Sequence, residues 1–325
     1  MDYNFDPEFD RSFIGALPLS SLEDVDAARE GIKSMLGMMN ADLDTSRLNI
    51  EDRPIPGLNG SPDIVVRIYQ AKKGKEDHKV AAGELTGAVL YLHGGGFVVG
   101  DIDTEHAGAC AYTEALGVPF ISVDYRLAPE HPYPAPVDDC YAALLWLHEN
   151  AAEFNIDPDR IAIFGQSAGA GLAASTVLRA NTSGGPAICH QFLGIPELDD
   201  RLQTPSMTQF TDTPLWNRPN AEFSWKYYLG EAHTPGSDSV PVEAAPSRAN
   251  VSDVKGLPPA FITAMEFDPL RDEAIYYALR LLEAGVPVEL HVYPGTFHGS
   301  SLFTHADVSQ RQQRDVLGAI ERALA

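Results

Sequence analysis

Cysteine is scarce. Cys110, Cys140 and Cys189 are the only three in 325 residues, too few and too scattered for a disulfide framework or a zinc site. Basic side chains are scarce too: 23 Lys and Arg stand against 46 Asp and Glu, a formal charge of −23. That balance argues against nucleic acid, whose phosphates need clustered cations, and against anionic membrane surfaces. No apolar run approaches the ~18 residues of a membrane span. The first ten residues, MDYNFDPEFD, lack the basic-then-apolar plan of a secretory leader. There is no internal repeat, no low-complexity tract and no HExxH or Cys/His cluster. What remains, at 44% hydrophobic and 21% charged, is an ordinary globular composition able to bury a large core. A cytoplasmic protein is the expectation.

The apolar pattern is an alternation. Residues 1 to about 50 read as helical: Ser21 to Asp24 resembles a capping box, and Val25, Ala28, Ile32, Met35, Leu36 and Met39 follow at helical spacing. Strands are expected at 64–69, 87–93, 119–125, 160–165, 188–195, 259–265 and 286–293, and helices at 105–116, 138–152, 168–180, 271–284 and 306–325. Repeated strand–helix units with short apolar strands predict an α/β fold, a mainly parallel sheet with helices on both faces. Residues 199–251 break the pattern, rich in Pro, Trp and polar residues with one clear helix at 221–229. So long a stretch is read as an insertion over the sheet. With the N-terminal helices it would cover the C-terminal strand ends, where open α/β sheets bind ligands.

Three constellations fall at those ends. Gly165-Gln166-Ser167-Ala168-Gly169 follows the strand RIAIF and opens a helix. A sharp strand-to-helix turn needs small neighbours and lifts its serine into an exposed, strained position above the helix N-terminus. The bare string arises by chance in on the order of one chain in ten, so its context carries the reading. His93-Gly94-Gly95-Gly96-Phe97 follows the strand GAVLYL. A chance HGGG is far rarer, on the order of one chain in several hundred. Bare glycine backbone lets N–H groups approach a ligand oxygen closely, and with the Ala168 N–H would form an oxyanion hole. A phosphate loop would need a following Lys; here Asp101 and Asp103 follow instead.

The third constellation pairs an acid with a base. Asp268 follows PAFITAM, and His298 follows VPVELHVY within Pro294-Gly295-Thr296-Phe297-His298-Gly299. Asp268 sits in a loop before a proline, whereas Asp272 and Glu273 read as first-turn helix residues and Glu266 is still close to the strand. His291 lies inside a strand and His305 precedes the last helix. Asp268 and His298 are therefore the best-placed acid and base. In the order Ser, acid, His they suit a triad in which His takes the serine proton and the carboxylate holds the imidazole.

HGGGF, YRLAPEHPYPAPVDD (125–139), GQSAGAG, DPLRDE and the late FHG together resemble the hormone-sensitive-lipase-like family of α/β-hydrolases, rich in bacterial carboxylesterases. The resemblance covers about residues 90–300. It implies Ser167 as nucleophile, Asp268 as acid and His298 as base. It also implies Gly95, Gly96 and Ala168 as oxyanion donors, a cap, frequent homodimers and no cofactor. The divisions would be 1–50 as N-terminal cap helices, 51–198 and 252–325 as the α/β-hydrolase core, and 199–251 as a cap insertion. Two positions depart from the family: Gln166 stands where an acid is common, and Ala170 where Gly is common. Glu130 and Asp138, in the proline-stiffened 125–139 block, read as scaffold.

The expected reaction is hydrolysis of carboxylic esters through an acyl-enzyme. Met35, Met38, Met39, Phe97 and Trp216, with Phe223 and Trp225 beside them, are the candidates for an apolar substrate pocket. They favour small to medium water-soluble esters. Two rivals use the same fold: a non-catalytic receptor, which in this family loses the histidine, and a lactonase or lyase using the same serine.

Overall fold

A computed structural model of the protein describes residues 3–10, 14, 21–72 and 85–325, together with the Met39 backbone but not its side chain. Its centre is one eight-stranded sheet in the order β1-β2-β4-β3-β5-β6-β7-β8. The strands are β1 (Leu48–Ile55), β2 (Ile64–Ala71), β3 (Thr86–Leu92), β4 (Phe120–Asp124), β5 (Ile156–Gln166), β6 (His190–Gly194), β7 (Ala260–Phe267) and β8 (Val288–Phe297). β1 and β2 are antiparallel to each other, and β2 to β4; the remaining pairs run parallel. Among the described residues the α-helices that can be followed from end to end are α1 (Val25–Asn40), α2 (His106–Leu116), α3 (Ala135–Asn150), α4 (Ala168–Ser183), α5 (Pro205–Gln209), α6 (Arg218–Leu229), α7 (Arg271–Glu283) and α8 (Asp307–Leu324). This is the α/β-hydrolase fold.

The buried stretches 88–92 of β3 and 161–164 of β5 are unbroken apolar runs because both faces of the sheet are covered there. Leu90 and Leu92 of β3 and Ile161 and Ile163 of β5 point into one core, with Leu144 of α3, Leu172 of α4 and Leu281 of α7. Their neighbours Val89, Tyr91, Ala162 and Phe164 point into the other, against Ala109 of α2 and Ile320 of α8. Adjacent residues thus serve opposite faces, as strand geometry requires. Truncating one such side chain, Leu90→Ala for example, costs ~2–5 kcal/mol.

The N-terminal region differs from its helical reading. Among its described residues Ile14 and α1 are helical; Asp24, not Ser21, caps α1, accepting from the Ala27 N–H at 3.0 Å. Residues 48–50 belong to β1. That strand lies at the sheet edge and is buried only at its two ends, so it carries neither apolar alternation nor an apolar run. Residues 1–2, 11–13 and 15–20, also read as helical, lie outside the described residues. In the 199–251 segment the structure adds the short α5, capped by Thr204, and starts α6 at Arg218 under an Asn217 cap. Both segments pack over the C-terminal strand ends: the Arg29 Nε donates to Val98 C=O at 3.0 Å, and Ser224 of α6 contacts Gly96.

Candidate active site

The turn between β5 and α4 is built by close backbone approach. A Cβ on Gly165 would lie 2.1 Å from Gly169 O, and one on Gly169 would lie 2.3 Å from both Leu92 O and His93 O. Only glycine fits at either place. Between them Ser167 has φ 53° and ψ −118°, a conformation costing ~1–3 kcal/mol in an L-residue. Its backbone is pinned from β6: the Ser167 N–H donates to Gly194 O at 2.8 Å, and Ser167 O accepts from Glu197 N–H at 3.1 Å.

Acid and base meet because their strands are neighbours in register. Phe267 of β7 and Phe297 of β8 are partners, so the next residue on each chain faces the other across the strand ends. Those residues are Asp268 and His298. His298 Nδ1 lies 2.7 Å from Asp268 Oδ2, and the other carboxylate oxygen accepts the Leu270 N–H at 2.9 Å. A carboxylate at Nδ1 selects the tautomer with its proton there, leaving Nε2 free to accept one.

The other candidate acids and histidines weighed for these roles are engaged elsewhere. Glu266 accepts Gly295 N–H, Asp272 accepts Ser206 N–H and Glu273 accepts Leu198 N–H. His291 pairs with Glu289, and His305 bonds Glu8 O.

The HGGG loop hangs from its histidine. His93 stacks on Tyr125, ring centroids 4.1 Å apart, and its carbonyl accepts the Tyr125 hydroxyl at 2.7 Å. Burial pushes the imidazole down to about 4, so it is neutral near pH 7 and Nδ1–H donates to Gly94 O at 2.8 Å. Gly95 follows with φ 126°, and a Cβ there would lie 2.0 Å from Val99 O. Among the described residues, no acceptor takes the N–H of Gly95, Gly96 or Ala168. Such unclaimed donors beside a serine can stabilise charge developing on a carbonyl oxygen.

Ser167, His298, Gly95 and Gly96 line one cavity of about 230 Å³, walled by Leu22, Ile32, Met35, Leu36, Leu215 and Trp216. Trp216 also lies against the His298 ring, centroids 5.8 Å apart. Met35 and Trp216 of the expected substrate residues are there. Met38 is not: it is 70% exposed, two residues beyond inward-facing Leu36 and so on the opposite side of α1. Phe97 is not either; it is buried beneath the site, stacked on Tyr228 at 4.1 Å and packed against Trp225. The Met39 side chain lies outside the described residues.

The sequence reading missed Leu22, Leu215, Asn220 and Glu105 among the lining residues. Glu105 accepts the Tyr91 hydroxyl at 3.1 Å, and burial pushes its carboxyl up to about 7. Among the described residues no Lys or Arg lines the cavity. A larger hollow of about 810 Å³ opens at the opposite end of the sheet, between Leu85, Arg160 and Leu324.

The family described as alpha/beta hydrolase fold matches residues 89–302. The chain is 41% identical over 252 residues to the carboxylesterase NlhH of Mycobacterium tuberculosis, spanning 78% of this chain and 75% of that protein. It is 32% identical over 276 residues to an arylesterase of Saccharolobus solfataricus, spanning 84% and 81%. Among solved structures, a bacterial heroin esterase superposes with a TM-score of 0.93 at 47% identity, over 99% of this chain and 98% of that one.

Proposed function

The chain belongs to the hormone-sensitive-lipase-like family of α/β-hydrolases and is a serine carboxylesterase, and from that premise we propose that Ser167, His298 and Asp268 are its catalytic triad. The 2.7 Å pairing of Asp268 with His298, over the cavity that Ser167 enters, carries this reading.

Ser167 Oγ attacks the ester carbonyl as His298 Nε2 takes its proton; Asp268 stabilises the imidazolium. The N–H groups of Gly95, Gly96 and Ala168 receive the oxyanion. The C–O bond to the alcohol breaks, and His298 returns its proton to the departing alkoxide. Water, deprotonated by the same imidazole, then releases the acid and regenerates Ser167. Ser167→Ala should abolish turnover of a short p-nitrophenyl ester, and a fluorophosphonate probe should label Ser167 of the native chain. Labelling at another residue, or activity surviving the substitution, would remove the serine from its role.

The substrates belong to the same reading. A cavity of about 230 Å³ with aliphatic walls and Trp216 suits a short acyl chain; pockets for larger ligands run to ~300–1,000 Å³. α1 and the segment 199–251 act as its cap. Among the described residues no helix is long and apolar enough to cross a membrane. Cytoplasmic placement suits three unpaired cysteines and is checked by cell fractionation. A homodimer suits the exposed stripe Tyr276, Leu279 and Leu282 on α7, beside edge strand β8, and is checked by light scattering.

A further inference from the structure

Glu197 is a carboxyl in a place that costs it dearly. It follows β6, is 0% exposed, and its Oε2 has no hydrogen-bond partner. The charged groups facing it are Asp268 at the end of β7 and Glu273 on α7, both acids. Its backbone N–H donates to the carbonyl of Ser167 at 3.1 Å. Its Oε1 lies 2.8 Å from the hydroxyl of Ser224 on α6. That same hydroxyl lies 2.9 Å from the carbonyl oxygen of Gly96. Ser224 is itself fully buried.

Protons can be counted here. A serine hydroxyl donates one hydrogen bond. A backbone carbonyl and an ionised carboxylate both only accept. With Glu197 ionised, one of the two contacts would therefore be two oxygens without a proton between them, inside a dry interior where that is costly. With Glu197 protonated both close: Glu197 O–H donates to Ser224 Oγ, and Ser224 O–H donates to Gly96 O. Burial acts in the same direction, pushing the carboxyl up to about 8, helped by the Asp268 charge and opposed by the Ser224 bond.

We propose that Glu197 is a positioning residue kept as a neutral carboxylic acid, which holds the Gly96 loop through Ser224 and the Ser167 turn through its own backbone. The two halves of the oxyanion site, on different strands, are thereby tied to one side chain and to α6. The inference rests on the assignment of Gly95, Gly96 and Ala168 as oxyanion donors.

The test uses the full chain in two ways. A difference infrared spectrum, wild type minus Glu197→Gln, should show a protonated-carboxyl carbonyl band at pH 7 that fades above about pH 8. Only carboxylate bands at pH 7 would overturn the proposal, whatever becomes of the triad. Kinetically, Glu197→Ala and Ser224→Ala should each lower kcat roughly tenfold, less than loss of a whole oxyanion donor, with KM little changed. The double variant should lose no more than either single one. Glu197→Gln, whose amide N–H can still donate to Ser224, should keep most of kcat and lose the high-pH decline of the wild type. A wild-type pH profile unaltered in Glu197→Gln, or a rise in KM at constant kcat in the alanine variants, would also overturn it. Since Glu197→Gln conserves shape, a folding failure of the alanine variants does not decide the matter.

Discussion

Arg29 of α1 forks onto Glu130, with Nη1 2.8 Å from Oε1 and Nη2 2.7 Å from Oε2. Its Nη2 also donates to Ala128 O at 3.1 Å. The pair joins α1, one wall of the cavity, to the chain that leaves β4. The partners are 31% and 53% exposed, so the ion pair itself is worth little; the joint is geometric. Arg29→Met should raise KM for a short p-nitrophenyl ester roughly two- to fivefold with kcat held. An unchanged KM would mean that α1 is placed by its apolar face alone.

Asp268→Asn should leave the fold intact and lower kcat by roughly 10³–10⁴-fold, because the amide favours the wrong imidazole tautomer. Steady-state kinetics beside a circular dichroism spectrum measure both parts. A loss below tenfold would shift the role of acid to Glu266 or Asp272.

Ser167 should act as a stability cost as well as a nucleophile. Ser167→Gly and Ser167→Ala both lack the hydroxyl, but only glycine adopts φ 53° without penalty. The glycine variant should melt higher than the alanine variant by roughly 2 °C, the scale of ~1 kcal/mol in a chain of this size. Equal melting temperatures would mean that the turn is not strained.

Glu197 also fixes a pH dependence of stability. Its folded pKa, about 8, lies above the ordinary 4.5. In that interval the folded state holds a proton that the unfolded state has released. The stabilisation is therefore whole below about pH 4.5 and is lost as pH rises through about 8. Glu197→Gln removes this loss. The melting temperature of the variant relative to the wild type should climb from pH 5 to pH 8 and then level off. A constant difference would contradict the sign.

The cavity should discriminate by size and charge. Among the described residues its walls carry no Lys or Arg, and their acid is Glu105. In a p-nitrophenyl ester series, kcat/KM should peak at short chains and fall by octanoate. A hemisuccinate ester should be turned over poorly beside its neutral analogue. A preference for long or anionic acyl groups would place the acyl site elsewhere.

Much of this was legible in the sequence, for reasons that differ by element. β3 and β5 stood out because the stretches buried on both faces, 88–92 and 161–164, are apolar at successive positions. The Ser167 turn stood out because its two glycines are demanded by carbonyl oxygens about 2 Å from their missing Cβ atoms. β1 was hidden because an edge strand buried at its two ends has no pattern to read. Phe97 misled because an aromatic after three glycines looks like a pocket wall, whereas Tyr228 and Trp225 bury its ring. Glu197 was invisible: beside Asp199 and Asp200 it reads as one more acid in an acidic chain, and only the fold brings Ser224 and Gly96 to it.

The cavity walls and the reacting groups come from separable parts of the chain. The side chains of the proposed triad, Ser167, Asp268 and His298, stand at the tips of β5, β7 and β8, whose spacing the sheet dictates. Leu22, Met35, Leu36 and Trp216 come from α1, the residues before it and the 199–251 segment, which can drift in sequence as long as Ser224 of that segment keeps its contacts with Gly96 and Glu197. Diversification of such a catalyst is therefore a matter of replacing its roof while the hearth stays where it is.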